Sequence, residues 1–378
     1  MGETLSEVNS SPKPAHGFRC SVDQHKTYMN KVLTHTFKQP FITESGAIIE
    51  NPYLAYQCWG QLNTARDNAV IICHALTGNS DAKDWFSGFF GKESLVDTSS
   101  HFVLCINHPG SCYGSIGPTS LNPITGQPYQ ADFPQLTIRD IVRLEQQLLN
   151  DLKIYGVELV IGASMGGMVA LEFTVMDVRI KNACYIAMGK AHTPWAIGIS
   201  EAQRLAIAAD ENWKDGFYDP ENQPAKGFAA ARAMAMLTYR SPANYTDKFA
   251  RKKQSNSDQF QMESYLRYQG DKLVKRFDAN TYVQLSKAMD SHDVARGRGS
   301  FSEVLGRINI PVLVIGISSD LLYPINEQRE LAGLIPGASY HQIESPYGHD
   351  AFLIEFKQIN AALANFMNLT KQAEAACD

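Results

Sequence analysis

Three residues far apart in this chain are of the types that together turn an alcohol into a nucleophile. Ser164 lies in Gly162-Ala163-Ser164-Met165-Gly166, Asp320 closes Gly316-Ile317-Ser318-Ser319-Asp320, and His349 closes Ser345-Pro346-Tyr347-Gly348-His349. An isolated serine hydroxyl is a weak nucleophile and needs a base within reach, itself oriented by a third group. Histidine supplies the base, and a carboxylate fixes its tautomer and stabilises the imidazolium. The serine pentapeptide fits G-x-S-x-G, with a strand-like run before it (Leu159-Val160-Ile161) and an apolar helix former after it. The motif requires that context, because the turn exposes the hydroxyl and the helix start points N–H groups at a developing oxyanion. Two such donors are expected: the N–H of Met165, directly after the serine, and that of Leu76, in His74-Ala75-Leu76-Thr77-Gly78. Asp81 and Asp84 are acidic alternatives to Asp320 but precede the serine, and His341 falls inside a strand run and reads as structural.

These residues have to be held by something. Short apolar runs recur at Ala69–Cys73, Phe102–Ile106, Leu159–Ile161, Ala183–Ala187 and Val312–Ile315. Continuous apolar runs of that length suit strands buried on both faces of a parallel sheet. Between the second and third, Ile138–Leu149 has apolar residues at helical spacing, as a crossover helix should. Strands alternating with helices predict an α/β fold, and the order serine, acid, histidine on strand ends is that of an α/β hydrolase. The pattern breaks over residues 190–300, rich in Ala, Met, Tyr and charge, with a strong helix former at Ala229–Leu237. The predicted organisation is a loose tail over 1–30, a core over 31–189 and 301–378, and a helical lid over 190–300.

Composition narrows the partners. A formal net charge of -5 leaves no basic excess for nucleic acid, and Arg251-Lys252-Lys253 reads as a solvated surface. No apolar run is long enough for a membrane span, and the N-terminus lacks the apolar core of a secretory signal. Seven cysteines without C-x-x-C spacing suggest neither a disulfide framework nor a zinc site, so a cytoplasmic protein without a bound metal or cofactor is expected.

Ser, His and Asp serve hydrolysis and acyl transfer equally well. Longer blocks go further: "HALTG", "GSCYGSIGPTSLNPITGQPY", "DFPQLTIRDIV", "GASMGGM", "ARAMAMLTYRS", "ESYLRYQGDKLVKRFDANTYVQLSKAMDSHDV" and "GHDAF". In these the chain resembles the homoserine O-acetyltransferase family from about residue 40 to 360. The resemblance implies a mostly parallel sheet with an inserted helical lid, and ping-pong transfer of an acetyl group from acetyl-CoA to the hydroxyl of L-homoserine. It further implies an acyl-serine intermediate, a role in methionine biosynthesis, no metal, and a homodimer joined through the lid. By the same resemblance Arg232 matches a carboxylate-binding arginine, Asp350 the acid that meets the ammonium, and Tyr239 a nearby polar contact. Thr77 is placed to line the acceptor pocket, and Arg296 and Arg298 are candidates for coenzyme A phosphates. The chain departs from the family pattern at Ser111 and Ile116, where a second glycine and a threonine are expected. A succinyl-CoA-dependent or serine-accepting sister enzyme, or an esterase or thioesterase of the same fold, are the alternative readings.

Overall fold

The structure is a computed structural model and describes residues 31–91 and 96–375; the tail expected over 1–30 lies outside the described residues. In chain order the strands are β1 (Leu33–Thr36), β2 (Phe41–Ile42), β3 (Ile48–Ile49), β4 (Tyr53–Trp59) and β5 (Ala69–Cys73). They continue with β6 (Phe102–Ile106), β7 (Val157–Ala163), β8 (Ala183–Ile186), β9 (Val312–Ile317) and β10 (Ser339–Ile343). Eight of them form one sheet in the order β1-β4-β6-β5-β7-β8-β9-β10, while β2 and β3 pair separately. Pairing is antiparallel between β1 and β4 and between β4 and β6, and parallel from β6 to β10.

Alternation explains the uninterrupted apolar runs. Val70 and Ile72 of β5 face one apolar layer with Val103, Leu159, Ile161 and Ile315; Ile71 faces the other with Leu104, Val160, Tyr185 and Val314. Successive side chains of a strand point to opposite faces, so a strand covered on both sides must be apolar at every position. Each such fully buried aliphatic side chain contributes roughly 1.5–3 kcal/mol relative to exposure.

Helices cover both faces. After the short α1 (Ala82–Trp85), α2 (Ile138–Asp151) is the expected crossover helix. Its start is set by a capping box in which Thr137 Oγ1 accepts from Asp140 N and the Asp140 carboxylate accepts from Thr137 N. Helix α3 (Met165–Met176) follows β7 directly. Between β8 and β9 the chain forms α4 (Pro194–Ala208), α5 (Ala225–Tyr239), α6 (Pro242–Phe249), α7 (Gln261–Val274) and α8 (Ala279–Asp290), with no strand of the main sheet. This insertion leaves and rejoins the core at a narrow neck, where His192 N donates to His292 O and Val294 N to Lys190 O. Helices α9 (Phe301–Leu305), α10 (Ile325–Leu334) and α11 (Phe356–Ala375) complete the core.

The parallel part of the sheet reverses its winding at β5, with β6 on one side and β7 on the other. Crevices beyond the carboxyl ends of strands at such a reversal are where open α/β sheets bind ligands. The loops after β5, β7, β9 and β10 carry Leu76 and Thr77, Ser164, Asp320, and His349 with Asp350, while Arg232 and Tyr239 belong to the insertion after β8.

Candidate active site

Ser164 stands between β7 and α3 with φ 55° and ψ −127°, a conformation that costs a non-glycine residue strain. Its surroundings force the corner to stay tight. A Cβ added at Gly162 would lie 2.0 Å from Gly166 O, and one at Gly166 would lie 2.1 Å from Cys73 O. Both glycines therefore permit backbone contact, the second between the serine turn and the end of β5. Ser164 N donates to Ile186 O at 2.9 Å, and its side chain makes no capping bond to its own helix. The hydroxyl is thus not consumed by the turn.

Met165 is the first residue of α3, so its N–H has no partner within the helix. Leu76 is buried in the loop after β5, and among the described residues no hydrogen bond uses its N–H. Two unspent backbone donors thus lie on the two loops that the Gly166–Cys73 contact presses together.

His349 and Asp320 meet. His349 Nδ1 lies 2.7 Å from Asp320 Oδ2, and both residues are buried. Asp320 Oδ1 accepts from Leu322 N at 2.8 Å and Tyr323 N at 3.0 Å, so every carboxylate oxygen has a donor. His349 is the second residue of a 3-10 helix over Gly348–Leu353 rather than part of an open loop, and Gly348 enters that helix at φ 63°. Ser319 Oγ ties the two loops, accepting from Gly348 N and donating to Ser345 O. The imidazole is packed by Tyr323 and Phe352, each with its ring centroid 5.4 Å away, and by Tyr239 at 5.7 Å.

Tyr239 ends α5, so the insertion reaches the histidine directly. Over the Tyr239 ring lies the Arg232 guanidinium, 5.2 Å from its centroid. Arg232 Nε and Nη1 are buried and without a hydrogen-bond partner. A buried cationic donor left unpaired is costly, and the cost is recovered only when an anion arrives. Asp350, beside His349, lies 2.9 Å from Arg240 Nε, an ion pair whose N–H is off line for a hydrogen bond. Burial holds the Asp350 carboxyl above the ordinary carboxylate range, against the pull of Arg240, His349 and Arg232. Sequence reading passed over Arg240, although it follows Tyr239 in the quoted "LTYRS" block.

Thr77 is engaged from the insertion. Arg276 Nη1 donates to Thr77 O at 2.9 Å and to Tyr113 Oη at 2.7 Å, while Nη2 reaches Thr77 Oγ1 at 3.3 Å. Arg276 was not singled out from sequence either, because nothing in a basic stretch shows which cation turns inward. It fastens the loop after β5, the loop after β6 and the insertion to one another.

Arg296 and Arg298 are elsewhere. Arg296 pairs with Glu44 and Arg298 with buried Glu172, each at 2.7 Å. Glu172 is eight residues along α3 from Ser164, about 12 Å at 1.5 Å per residue. Both arginines, candidates for donor phosphates, are held by carboxylates in this structure. Ser111 and Ile116 also turn inward. Ile116 packs in the apolar core and Ser111 Oγ accepts from Tyr113 N. Lys253 of the basic run pairs with Asp258 on the surface. Among the described residues no cluster of three or more His, Cys, Asp or Glu is arranged to hold a metal ion, and no helix is long and apolar enough to cross a membrane.

Comparison with known proteins agrees with this geometry. The family described as alpha/beta hydrolase fold matches residues 68–356. A homoserine O-acetyltransferase of Chlorobium chlorochromatii is 51% identical over 342 residues, covering 89% of this chain and 96% of that protein. The chain belongs to the homoserine O-acetyltransferase family. A second relative carrying that name, from Chlorobaculum tepidum, is 48% identical, covering 87% of this chain and 92% of that one. Among solved structures, homoserine O-acetyltransferase from Bacillus anthracis superposes with a TM-score of 0.82 at 26% identity, covering 90% of this chain and 98% of that one. Esterase E22 superposes at 0.80 with 24% identity, covering 89% and 100%, a likeness of fold. Membership in the family makes the chain an acyltransferase built on the hydrolase fold.

Proposed function

We propose that the chain transfers an acetyl group from acetyl-CoA to the side-chain hydroxyl of L-homoserine through an acyl-Ser164 intermediate. The observation that carries this reading is the pair of buried, unpartnered donors Nε and Nη1 of Arg232, near enough to the Asp350 carboxylate to act on it and packed on the tyrosine that touches His349. An amino acid brings a carboxylate and an ammonium, and a fixed cation beside a fixed anion is the arrangement that recognises both. A simple ester hydrolase has no use for it.

The steps follow from the residues. With acetyl-CoA bound, Ser164 Oγ attacks the thioester carbonyl while His349 Nε2 takes its proton. The negative charge that develops on the carbonyl oxygen is stabilised by the N–H groups of Met165 and Leu76. Collapse breaks the C–S bond, the thiol leaves with the proton from His349, and the acetyl group stays on Ser164. Homoserine then enters with its carboxylate on Arg232, its ammonium near Asp350, and Tyr239 alongside. Its hydroxyl gives a proton to His349 and attacks the acyl carbon, and Ser164 leaves with that proton. Asp320 stabilises the imidazolium in both halves. A product of this kind supplies methionine biosynthesis. No bound cofactor or metal is needed, since both substrates bring the reacting groups.

Exposed Met234, Leu237 and Tyr268 on α5 and α7 are the apolar surface on which a second copy would pack, as a homodimer through the insertion. The thiols of Cys73, Cys105, Cys112 and Cys184, none in a disulfide, suit a reducing, cytoplasmic setting.

Thiol release from acetyl-CoA, measured with and without L-homoserine and beside succinyl-CoA and L-serine, tests the reading. Release dependent on homoserine and acetyl-CoA supports it; release indifferent to every acceptor makes the protein a hydrolase. Arg232→Ala should lower kcat/KM for homoserine on the order of 100-fold or more, because a buried charge partner is lost. Its single acetylation by acetyl-CoA alone, followed by mass spectrometry, should change far less. Arg276→Ala should raise hydrolysis relative to transfer several-fold, since it frees the insertion from Thr77 and Tyr113 and admits water. An unchanged ratio would show that this contact does not exclude water.

A further inference from the structure

A chain of three buried titratable side chains runs from α2 to the loop after β5, and the acyl-transfer steps use none of them. His74 follows β5, His108 follows β6 and Glu145 belongs to α2; each is no more than 1% exposed. His108 Nδ1 lies 2.6 Å from Glu145 Oε1, and His108 Nε2 lies 3.0 Å from His74 O. His108 N donates to His74 Nε2 at 3.1 Å, and His74 Nδ1 lies 2.9 Å from Ala75 O. The two imidazoles lie against each other, centroids 3.9 Å apart and planes tilted by 33°.

Donor and acceptor chemistry places the ring protons that face carbonyls and requires one more in this chain. A carbonyl oxygen only accepts, so His108 Nε2 carries hydrogen towards His74 O. His74 Nε2 accepts from the His108 amide, so His74 is protonated at Nδ1 and donates to Ala75 O. His108 Nδ1 and Glu145 Oε1 then need one more proton between them, whichever atom it rides on. Without it two lone pairs would face each other at 2.6 Å. Burial pushes Glu145 up and His108 down to about 4, which favours a neutral carboxyl donating to a neutral imidazole. The thiols of Cys73 and Cys105 nearby are themselves pushed up by burial and stay neutral.

The end of the chain is Ala75 O. It accepts from His74 Nδ1 and also from Gly78 N at 2.8 Å. That oxygen belongs to the same planar trans peptide as the N–H of Leu76, so pinning one end of the unit aims the other. We infer that Glu145, through His108 and His74, is a positioning residue that aims the Leu76 N–H at the oxyanion. The inference rests on the acyl-transfer reading above.

Both half-reactions pass through a tetrahedral intermediate at the same donor pair, so a loosened Leu76 peptide slows both. Glu145→Ala should reduce the acylation rate with acetyl-CoA and the deacylation rate with homoserine by similar factors. About 10- to 100-fold is expected, below the loss of a whole oxyanion donor. The homoserine KM should stay within a few-fold. Glu145→Gln should recover most of the loss, because its amide N–H replaces the carboxyl proton towards His108 Nδ1. If Glu145→Ala does not accumulate as folded protein, His74→Phe is read the same way. It keeps a ring of similar shape while losing both the donor towards Ala75 O and the acceptor for the His108 amide, and should slow both half-reactions together. Glu145→Ala or His74→Phe with normal rates per folded molecule and only a lowered Tm would overturn the inference. So would a Glu145→Gln enzyme as slow as Glu145→Ala. Ser164→Ala run in parallel separates the two levels. Persisting transfer there removes the acyl-serine reading, whereas a dead Ser164→Ala beside a normal Glu145→Ala removes the positioning role alone.

Discussion

Ser164→Ala should lower homoserine-dependent thiol release on the order of 10⁵- to 10⁶-fold, the scale on which a lone nucleophile acts within its triad. The backbone gives the reason that this loss would be chemical. Ser164 is held at φ 55° by the Gly166–Cys73 approach and by its own N–H bond to Ile186 O, none of which involves the hydroxyl. Alanine meets the same steric strain as serine, so the corner and the Tm should change little. On the proposed mechanism the oxyanion donors and substrate contacts would remain and set the residual rate above that in water. Incubation with acetyl-CoA alone should add one acetyl mass to the wild-type chain and none to the variant. Transfer that survives without the hydroxyl would mean direct attack by homoserine on the thioester, and the acyl-serine would have to be abandoned.

What was legible beforehand differs by the kind of signal. The strands from Ala69 to Ile315 were readable because a strand buried on both faces must be apolar at every position, and α2 because its apolar residues follow the helical turn. Strands β1 and β4 were not. Tyr53–Trp59 mixes aromatic, amide and thiol side chains, and Leu33–Thr36 is a half-exposed edge. Nothing local distinguishes them from a loop; pairing of β4 with β6, and of β1 with β4, makes them strands. Fold and family were legible, and the residues named for the site fall into two groups. Ser164, Asp320 and His349 sit where a motif or strand end puts them, and the structure brings Asp320 to His349. Arg232, Arg240, Arg276, Arg296 and Arg298 are the same residue type on helices and loops. Tertiary folding brings carboxylates to Arg240, Arg296 and Arg298 (Asp350, Glu44 and Glu172) and Thr77 and Tyr113 to Arg276, which leaves Arg232. Sequence spacing carries no record of such partners, so neither the carboxylates that hold Arg296 and Arg298 nor the inward turn of Arg276 could be read from it. Glu145 and His108 were invisible for a related reason: thirty-seven positions apart, they pair only once α2 has packed on the sheet.

The same reasoning about partners gives the sharpest consequence of the Asp320–His349 contact. Asp320→Asn should preserve the loop and still reduce both half-reactions by about 10⁴-fold. In the native chain Oδ1 accepts from the Leu322 and Tyr323 amides, and an asparagine carbonyl can take over both bonds unchanged. That requirement fixes which way the amide faces. Its NH₂ group then replaces Oδ2, 2.7 Å from His349 Nδ1, and a donor there demands an acceptor on the ring. His349 must move its proton to Nε2, the atom that has to receive the serine proton, so the base is blocked with its position intact. Glu or Ala at 320 would confuse this effect with packing damage, because the site is buried; asparagine changes the tautomer alone. Pre-steady-state acylation and deacylation should fall together, with near-native Tm and homoserine KM. A variant that kept native rates would show that Asp320 does not set the tautomer of His349.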